Sequence, residues 1–242
     1  MAPSSLFGVD LLRSLRRRLL GRASREPGPV NHVSLGCHCH MAQVLKTLNL
    51  RTWSGPFDWI FSTPGMVRDC LADNFASLLD RSQLESVPLS ERPAPEIGRC
   101  RHRIYRERHD LPAVFNHHDP ATSEADYAFL CEGVRRFRAA LARPGARNHF
   151  WMMTALGTHD ETIADICDIL TRSGPANRLT FLHIRPGHPG LRTVEREGIH
   201  PNLRWITLES HSESVGLRFS DTQADDFLAR LVTEESARAA RS

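Results

Sequence analysis

Lysine is all but missing from this sequence: Lys46 is the only one, and arginine supplies the rest of the 31 basic side chains. With 28 acidic residues the net charge is only +3, so no strongly basic surface points to nucleic acid as a partner. Long apolar runs are lacking too. None approaches the roughly 20 residues that a membrane-spanning helix needs. The leucine-rich stretch near the start is broken by Arg13, Arg16, Arg17 and Arg18, which leaves no uninterrupted signal-peptide core. The six cysteines, at positions 37, 39, 70, 100, 131 and 167, lack the rhythm of a small disulfide-stapled domain. Cys70, Cys131 and Cys167 fall within predicted amphipathic helices, where a reduced cysteine packs as a small apolar residue. A reducing, cytoplasmic setting is the expectation, and no internal repeat is visible.

What remains is an ordinary globular composition, 40% hydrophobic and 24% charged, in a chain long enough for a sizeable core. Residues 1–30 read as a basic N-terminal extension and linker. Within it, residues 5–22 place Leu11, Leu12, Leu15, Leu19 and Leu20 opposite the arginines. That pattern fits either a frayed extension or a helix touching a membrane surface or a partner. Arg25-Glu26-Pro27-Gly28-Pro29 is the linker. A single domain is expected over residues 31–235, with a frayed Arg/Ala/Ser-rich tail over 236–242.

Strands are predicted at 33–35, 149–155, 179–184 and 203–208. Helices are predicted from Pro64 through Leu79 and over 123–141, 158–172 and 222–232. Ser123 can cap the second of these. Strands separated by such helices predict an α/β single domain with a mainly parallel sheet flanked by helices, a Rossmann-like three-layer arrangement. Residues 80–103, with three prolines and no clear period, predict irregular surface structure.

The chemistry concentrates in Val33-Ser34-Leu35-Gly36-Cys37-His38-Cys39-His40-Met41-Ala42. An apolar strand meets a glycine, then two thiols and two imidazoles, then an amphipathic run. Side chains at that point sit near helix N-terminal N–H groups, which favour a thiolate. Three readings follow. In the first, Cys39 is a nucleophile, His118 or His117 its base and Asp119 or Asn116 the orienter, with N–H groups after Gly36 as an oxyanion hole. In the second, Cys37, His38, Cys39 and His40 hold zinc, although Cys-x-Cys lacks a second ligand pair at zinc-finger spacing. In the third, the cysteines simply pack under a glycine turn. Asp58, between Phe57 and Trp59, either caps its own turn or is a carboxylate held in an apolar wall for substrate or histidine. His183 with Arg185, and His211 with Asp221, follow strands that end at the rim where open α/β sheets bind ligands.

Ser34-Leu35-Gly36-x-x-Cys39-x-x-Ala42, Leu45-Lys46, Leu50-Arg51, Ser54 and Pro56-Phe57-Asp58-Trp59 resemble the opening of a bacterial family labelled papain-like cysteine peptidases. Phe115-x-His117-His118-Asp119 and the helix with Tyr127, Arg135, Arg136 and Phe137 resemble its later part. The resemblance spans roughly residues 31–235. It implies a cysteine-dependent hydrolase with Cys39, His118 and Asp119 as the catalytic set, while Cys37, His38 and His40 fall at variable positions of the motif. Gly36, Asp58, Trp59 and His117 are the candidate substrate-binding residues, and neither a metal nor a cofactor is implied. The substrate would be a small molecule, a peptide or a glycan. A papain-type domain carries its cysteine on a long helix and its histidine on an antiparallel barrel, so here the resemblance concerns chemistry rather than architecture. A glycan-directed binding module using the Pro-Phe-Asp-Trp rim is the alternative from another class. Oligomeric state is not legible.

Overall fold

In chain order the elements of the computed structural model are β1 (Val30–Ser34), α1 (Cys39–Thr47), α2 (Pro64–Ala72), β2 (Leu84–Ser86), β3 (Cys100–His102), α3 (Arg103–His109), α4 (Glu124–Ala142), β4 (Arg147–Thr154), α5 (Asp160–Ser173), β5 (Arg178–Pro186), β6 (Arg192–Arg196), β7 (Leu203–Ser210) and α6 (Thr222–Arg241). The structure describes residues 28–241. The expected basic helix over 5–22 and the start of the linker lie outside the described residues.

The main sheet has five strands in the order β1-β4-β5-β7-β6. β1, β4, β5 and β7 are parallel to their neighbours, and only β6 runs antiparallel, against β7. The domain is thus mixed α/β with a mostly parallel sheet. The parallel strands stand side by side in chain order, so strand order never reverses among them and no switch-point crevice forms there.

The strands are near-continuous apolar runs, as expected where both faces are covered. Alternation sends Phe150, Met152, Leu179, Phe181 and Trp205 into one core cluster with side chains of α2, α4 and α5. Trp151, Met153, Leu182, Ile184, Ile206 and Leu208 enter another with Met41 and Leu45 of α1 and Ala224, Leu228 and Val232 of α6. Each fully buried side chain of this size contributes about 1.5–3 kcal/mol. α1 is therefore pinned by its apolar face, which fixes the position of its first residue, Cys39.

Caps account for two helix starts. Thr63 and Ser123 accept the Met66 and Asp126 N–H groups, each satisfying an otherwise orphaned donor. α2 is shorter than its apolar pattern suggests. Asn74 and Phe75 adopt φ of 52° and 63°, which ends the helix while Phe75 still reaches the core. α6 runs on through Arg241, past the Arg/Ala/Ser-rich tail expected to fray. Ser236 and Ala239 are buried there, Arg204 pairs with Glu235, and Arg147 donates to the Ala239 carbonyl at 2.6 Å. The region expected to be irregular contains the β2–β3 hairpin, and α3 follows it with Tyr105 buried against Cys70. β6, exposed along its whole length, carries no buried face that a periodicity could reveal.

Candidate functional site

Where β1 ends, Gly36 turns the chain with φ of +83°, and a Cβ there would meet Ser62 Oγ at 2.5 Å. Only glycine fits such a turn without strain. The four reactive side chains that follow then diverge. The buried Cys37 thiol is pushed up to about 12 by burial, against hydrogen bonds from Thr154 and Ser62. His38 lies edge-on to Phe61 at 6.4 Å. His40 is fully buried with Nδ1 2.9 Å from Ser214 Oγ. Among the described residues no group of three or more His, Cys, Asp and Glu is placed to hold a metal ion, which removes the support for the zinc reading.

Cys39 opens α1 and is 7% exposed. The expectation of a thiolate favoured by the helix N-terminus is reversed in sign. Burial and then the negative charge of Asp58 push the thiol up, outweighing a backbone hydrogen bond that favours the charged form.

Asp58 combines a turn-closing bond with deep burial. It closes its own turn, accepting the Gly55 N–H on Oδ2 at 3.0 Å, and it stands in an apolar wall with 1% of its surface exposed. The same Oδ2 takes the Arg51 guanidinium, which also lies 5.0 Å above the Trp59 ring. Oδ1 has no hydrogen-bond partner. Burial outweighs Arg51 and Gly55, and the carboxyl is pushed up to about 6.

The second cluster is organised by α4. Asp126, in its first turn, accepts from His118 Nδ1 at 3.1 Å and from the Asp119 N–H at 2.7 Å. Because a carboxylate only accepts, Nδ1 is the hydrogen-bearing nitrogen in this bond. The imidazole stacks on Phe129 at 5.4 Å. Together with Pro56, Trp59, Phe115 and Leu130 it lines a cleft. Asp119 is turned elsewhere: its Oδ2 takes Arg92 at 2.9 Å and Ser86 Oγ at 2.5 Å. His117 is exposed to solvent.

The Pro56–Ser62 segment joins the two clusters. Ser62 N–H donates to the Cys37 carbonyl at 3.1 Å and Phe61 N–H to the Val114 carbonyl at 2.8 Å. Pro56 and Trp59 face the cleft while Asp58 acts on Cys39. Among the described residues no hydrogen bond or ring contact joins Cys39 to His118, and Cys39 does not line the cleft. At the far rim His211 pairs with Asp221. Arg185 pairs with Glu209 at 3.1 Å, and burial and the nearby Arg185 charge lower the pKa of His183.

Two residues of this arrangement escaped the sequence reading. Asp126 carried a signal, since an acid three residues after a capping serine faces back toward the preceding turn. Arg51 stood inside the resembling motif, but nothing in its spacing announced a bond to Asp58.

The fold and the site define a single-domain α/β protein with a cysteine at a strand-to-helix turn and a buried carboxylate beside it. Residues 30–155 match the family model described as "putative papain-like cysteine peptidase". That is more than half of the chain, and the chain belongs to this family. Its description supports a cysteine hydrolase at a coarse level. No curated protein and no solved structure matches the chain. Among the described residues no helix is long and apolar enough to cross a membrane.

Proposed function

We propose that this protein is a cysteine-dependent hydrolase acting on an acyl or amide substrate, with Cys39 as the nucleophile, on a Rossmann-like three-layer frame. The observation that carries the reading is the place of Cys39: it opens α1 directly after the Gly36 turn, beside the buried Asp58. That is the carboxyl end of a parallel strand, where backbone N–H groups can stabilise an oxyanion. His118, oriented by Asp126 rather than by Asp119, serves as the acid–base group on the substrate side of the cleft. Trp59 and the other aromatic walls hold the substrate's apolar part, and Gly36 and His117 flank the site. The test is turnover of p-nitrophenyl acetate and of fluorogenic peptide amides by the purified protein and by Cys39→Ser. Loss of turnover in the variant, with an acyl adduct on Cys39 in the parent, is the expected result.

The cleft itself favours a second reading. Three aromatic rings around one histidine suit the face of a sugar or another ring, as in a non-catalytic binding module. In that case Cys39→Ser preserves ligand binding and Trp59→Ala removes it.

A further inference from the structure

We propose that Arg185 and Arg192, braced by the buried Glu209, form a subsite for a free carboxylate on the substrate. This rests on the reading of Cys39 as the nucleophile and deepens it by naming the substrate class: acyl or amide compounds that carry a carboxylate at a set distance from the bond broken.

The strand register builds the subsite. Arg185 of β5 and Arg192 of β6 are both paired with Glu209 of β7, so the three residues form one row across neighbouring strands. Arg185 Nη1 donates to Glu209 Oε1 at 3.1 Å and Arg192 Nε to Oε2 at 2.5 Å. The Glu209 side chain is 7% exposed and each arginine side chain 61%, so the carboxylate is the anchor and the guanidiniums are the surface. Among the described residues Glu209 is the one carboxylate that either arginine pairs with, and Arg185 Nε and Nη2 and Arg192 Nη1 and Nη2 make no hydrogen bond. His188 Nε2, 3.6 Å from the same Oε2, adds a further donor beside the single acid. One positive charge is therefore left over, and it is felt nearby: burial and then the Arg185 charge lower the pKa of His183, two residues back on the same face of β5. Holding the sheet together does not account for Arg185. The ladder from β5 to β7 runs from Leu179 to Pro186 without it, and an exposed ion pair adds little to that.

The same edge of the sheet leads back to Cys39. Thr154, which ends β4, hydrogen-bonds the Cys37 thiol and is paired with His183. Arg185 lies two residues on from His183, and Glu209 one strand further across. Strands about 4.8 Å apart and a two-residue repeat of about 6.6 Å put the arginine pair roughly 10 Å from Thr154. An extended substrate covers that distance in about three residues. Guanidinium donors held in fixed directions suit a planar carboxylate, and the one unspent positive charge matches it.

The test sets p-nitrophenyl hydrogen azelate, whose extended diacid chain suits this span, against methyl p-nitrophenyl azelate, which lacks only the charge. Full-length protein is expected to have a kcat/KM about tenfold higher for the acid, carried by KM, and Arg185→Gln/Arg192→Gln should abolish the difference. Arg185→Gln alone leaves β6 tied to Glu209 through Arg192 and should lower the preference severalfold. No preference in the parent, or a preference unchanged in both variants, overturns the subsite. Calorimetry of Cys39→Ser with monomethyl and dimethyl azelate reads the subsite without turnover. The same preference for the acid is expected there and should vanish when both arginines are replaced in that background. Binding preference with no turnover of either ester in the parent keeps the subsite and overturns Cys39 as the nucleophile. Turnover of both esters alike, lost in Cys39→Ser, keeps the nucleophile and overturns the subsite.

Discussion

Cys39 and the Cys167–His200 pair stand toward opposite ends of the sheet, and Cys167 has the more complete set of partners. Cys167, in α5, bonds to His200 Nδ1 at 3.1 Å, and His200 Nε2 reaches Asp168 at 3.1 Å. This is a Cys–His–Asp constellation at contact distances. Yet His200 Nδ1 already accepts the Asn202 N–H at 3.0 Å, so the thiol is the donor in its bond and stays protonated. Burial and the Asp168 charge push it up to about 12. Cys167 is buried within α5, and its partner His200 lies just before β7 begins, at the amino end of that strand. Among the described residues Cys39 has no bonded histidine, but it lies at the carboxyl end of β1 and feels the negative charge of Asp58. Residue types and short distances favour Cys167, and position on the sheet is what sets Cys39 apart.

The largest effect expected from breaking this comparison is on turnover. Cys39→Ala should lower hydrolysis of p-nitrophenyl acetate by about a thousandfold or more. Cys167→Ala should leave turnover in place and cost about 1 kcal/mol of stability in a urea titration, because His200 keeps its Asn202 and Asp168 bonds. Equal turnover losses in the two variants would erase the distinction between them.

Next in size is the difference between two acids seven residues apart. Asp119 and Arg92 form a mostly buried pair, and truncating one partner strands the other's charge. Asp119→Ala should therefore cost about 3 kcal/mol in urea unfolding. Asp126→Ala removes the carboxylate that orients His118, and its main effect should be a loss of turnover of at least about tenfold. The opposite pattern would return Asp119 to the site and make Asp126 a helix-start residue only.

Much of this was legible from residues alone, and the failures have physical causes. The parallel strands announced themselves because both faces are buried, so Phe150 to Met153 is apolar without interruption and Leu179 to Leu182 is broken only by Thr180. Pro64, Ser123 and the Gly36 turn gave local signals that tertiary contacts did not overrule. β6 has no buried face, so no hydrophobic periodicity marked it. α6 outran its pattern because the Arg147 guanidinium bonds the Ala239 carbonyl and Arg204 pairs with Glu235, contacts that no apolar period marks. At the candidate site, Cys39, Asp58 and His118 were singled out from residue type and motif. Which acid served which base was not legible, because Asp119 and Asp126 compete for the same turn and only the fold shows that Arg92 claims one of them.

Acid stability offers a third way to compare regions, this time through buried histidines. His149 of β4 is buried against Trp151 at 4.2 Å with Nε2 bonded to Thr180. Burial, helped by His32 and Arg178, lowers its pKa to about 3. The folded value lies below the unfolded one of 6.5, so the unfolded chain binds the proton first. Stability is full above about pH 6.5 and is lost as pH falls from there toward 3. His149→Gln should flatten that loss by about 2 kcal/mol between pH 6.5 and 4.5, measured by urea unfolding. Asp58 acts in the opposite sense, since its folded value of about 6 lies above the unfolded 3.8. Its share of stability is lost as pH rises through that window, and Asp58→Asn separates the two.

The smallest effect concerns what holds the carboxyl-end region in place. Ser214 bridges to Phe219 across a tight hairpin and bonds His40, the neighbour of Cys39. His40 Nε2 stands 3.5 Å from Asp225, so the imidazole touches the hairpin serine on one side and an α6 carboxylate on the other. Ser214→Ala removes a single net hydrogen bond, and about 1 kcal/mol of stability should go with it. Turnover should be retained, because Met41 and Leu45 pin α1 in the core whether or not the hairpin is attached. A tenfold loss of turnover with that small loss of stability would mean that the hairpin positions Cys39. The carboxyl end would then differ from the Cys167 end in its mechanics as well as its chemistry.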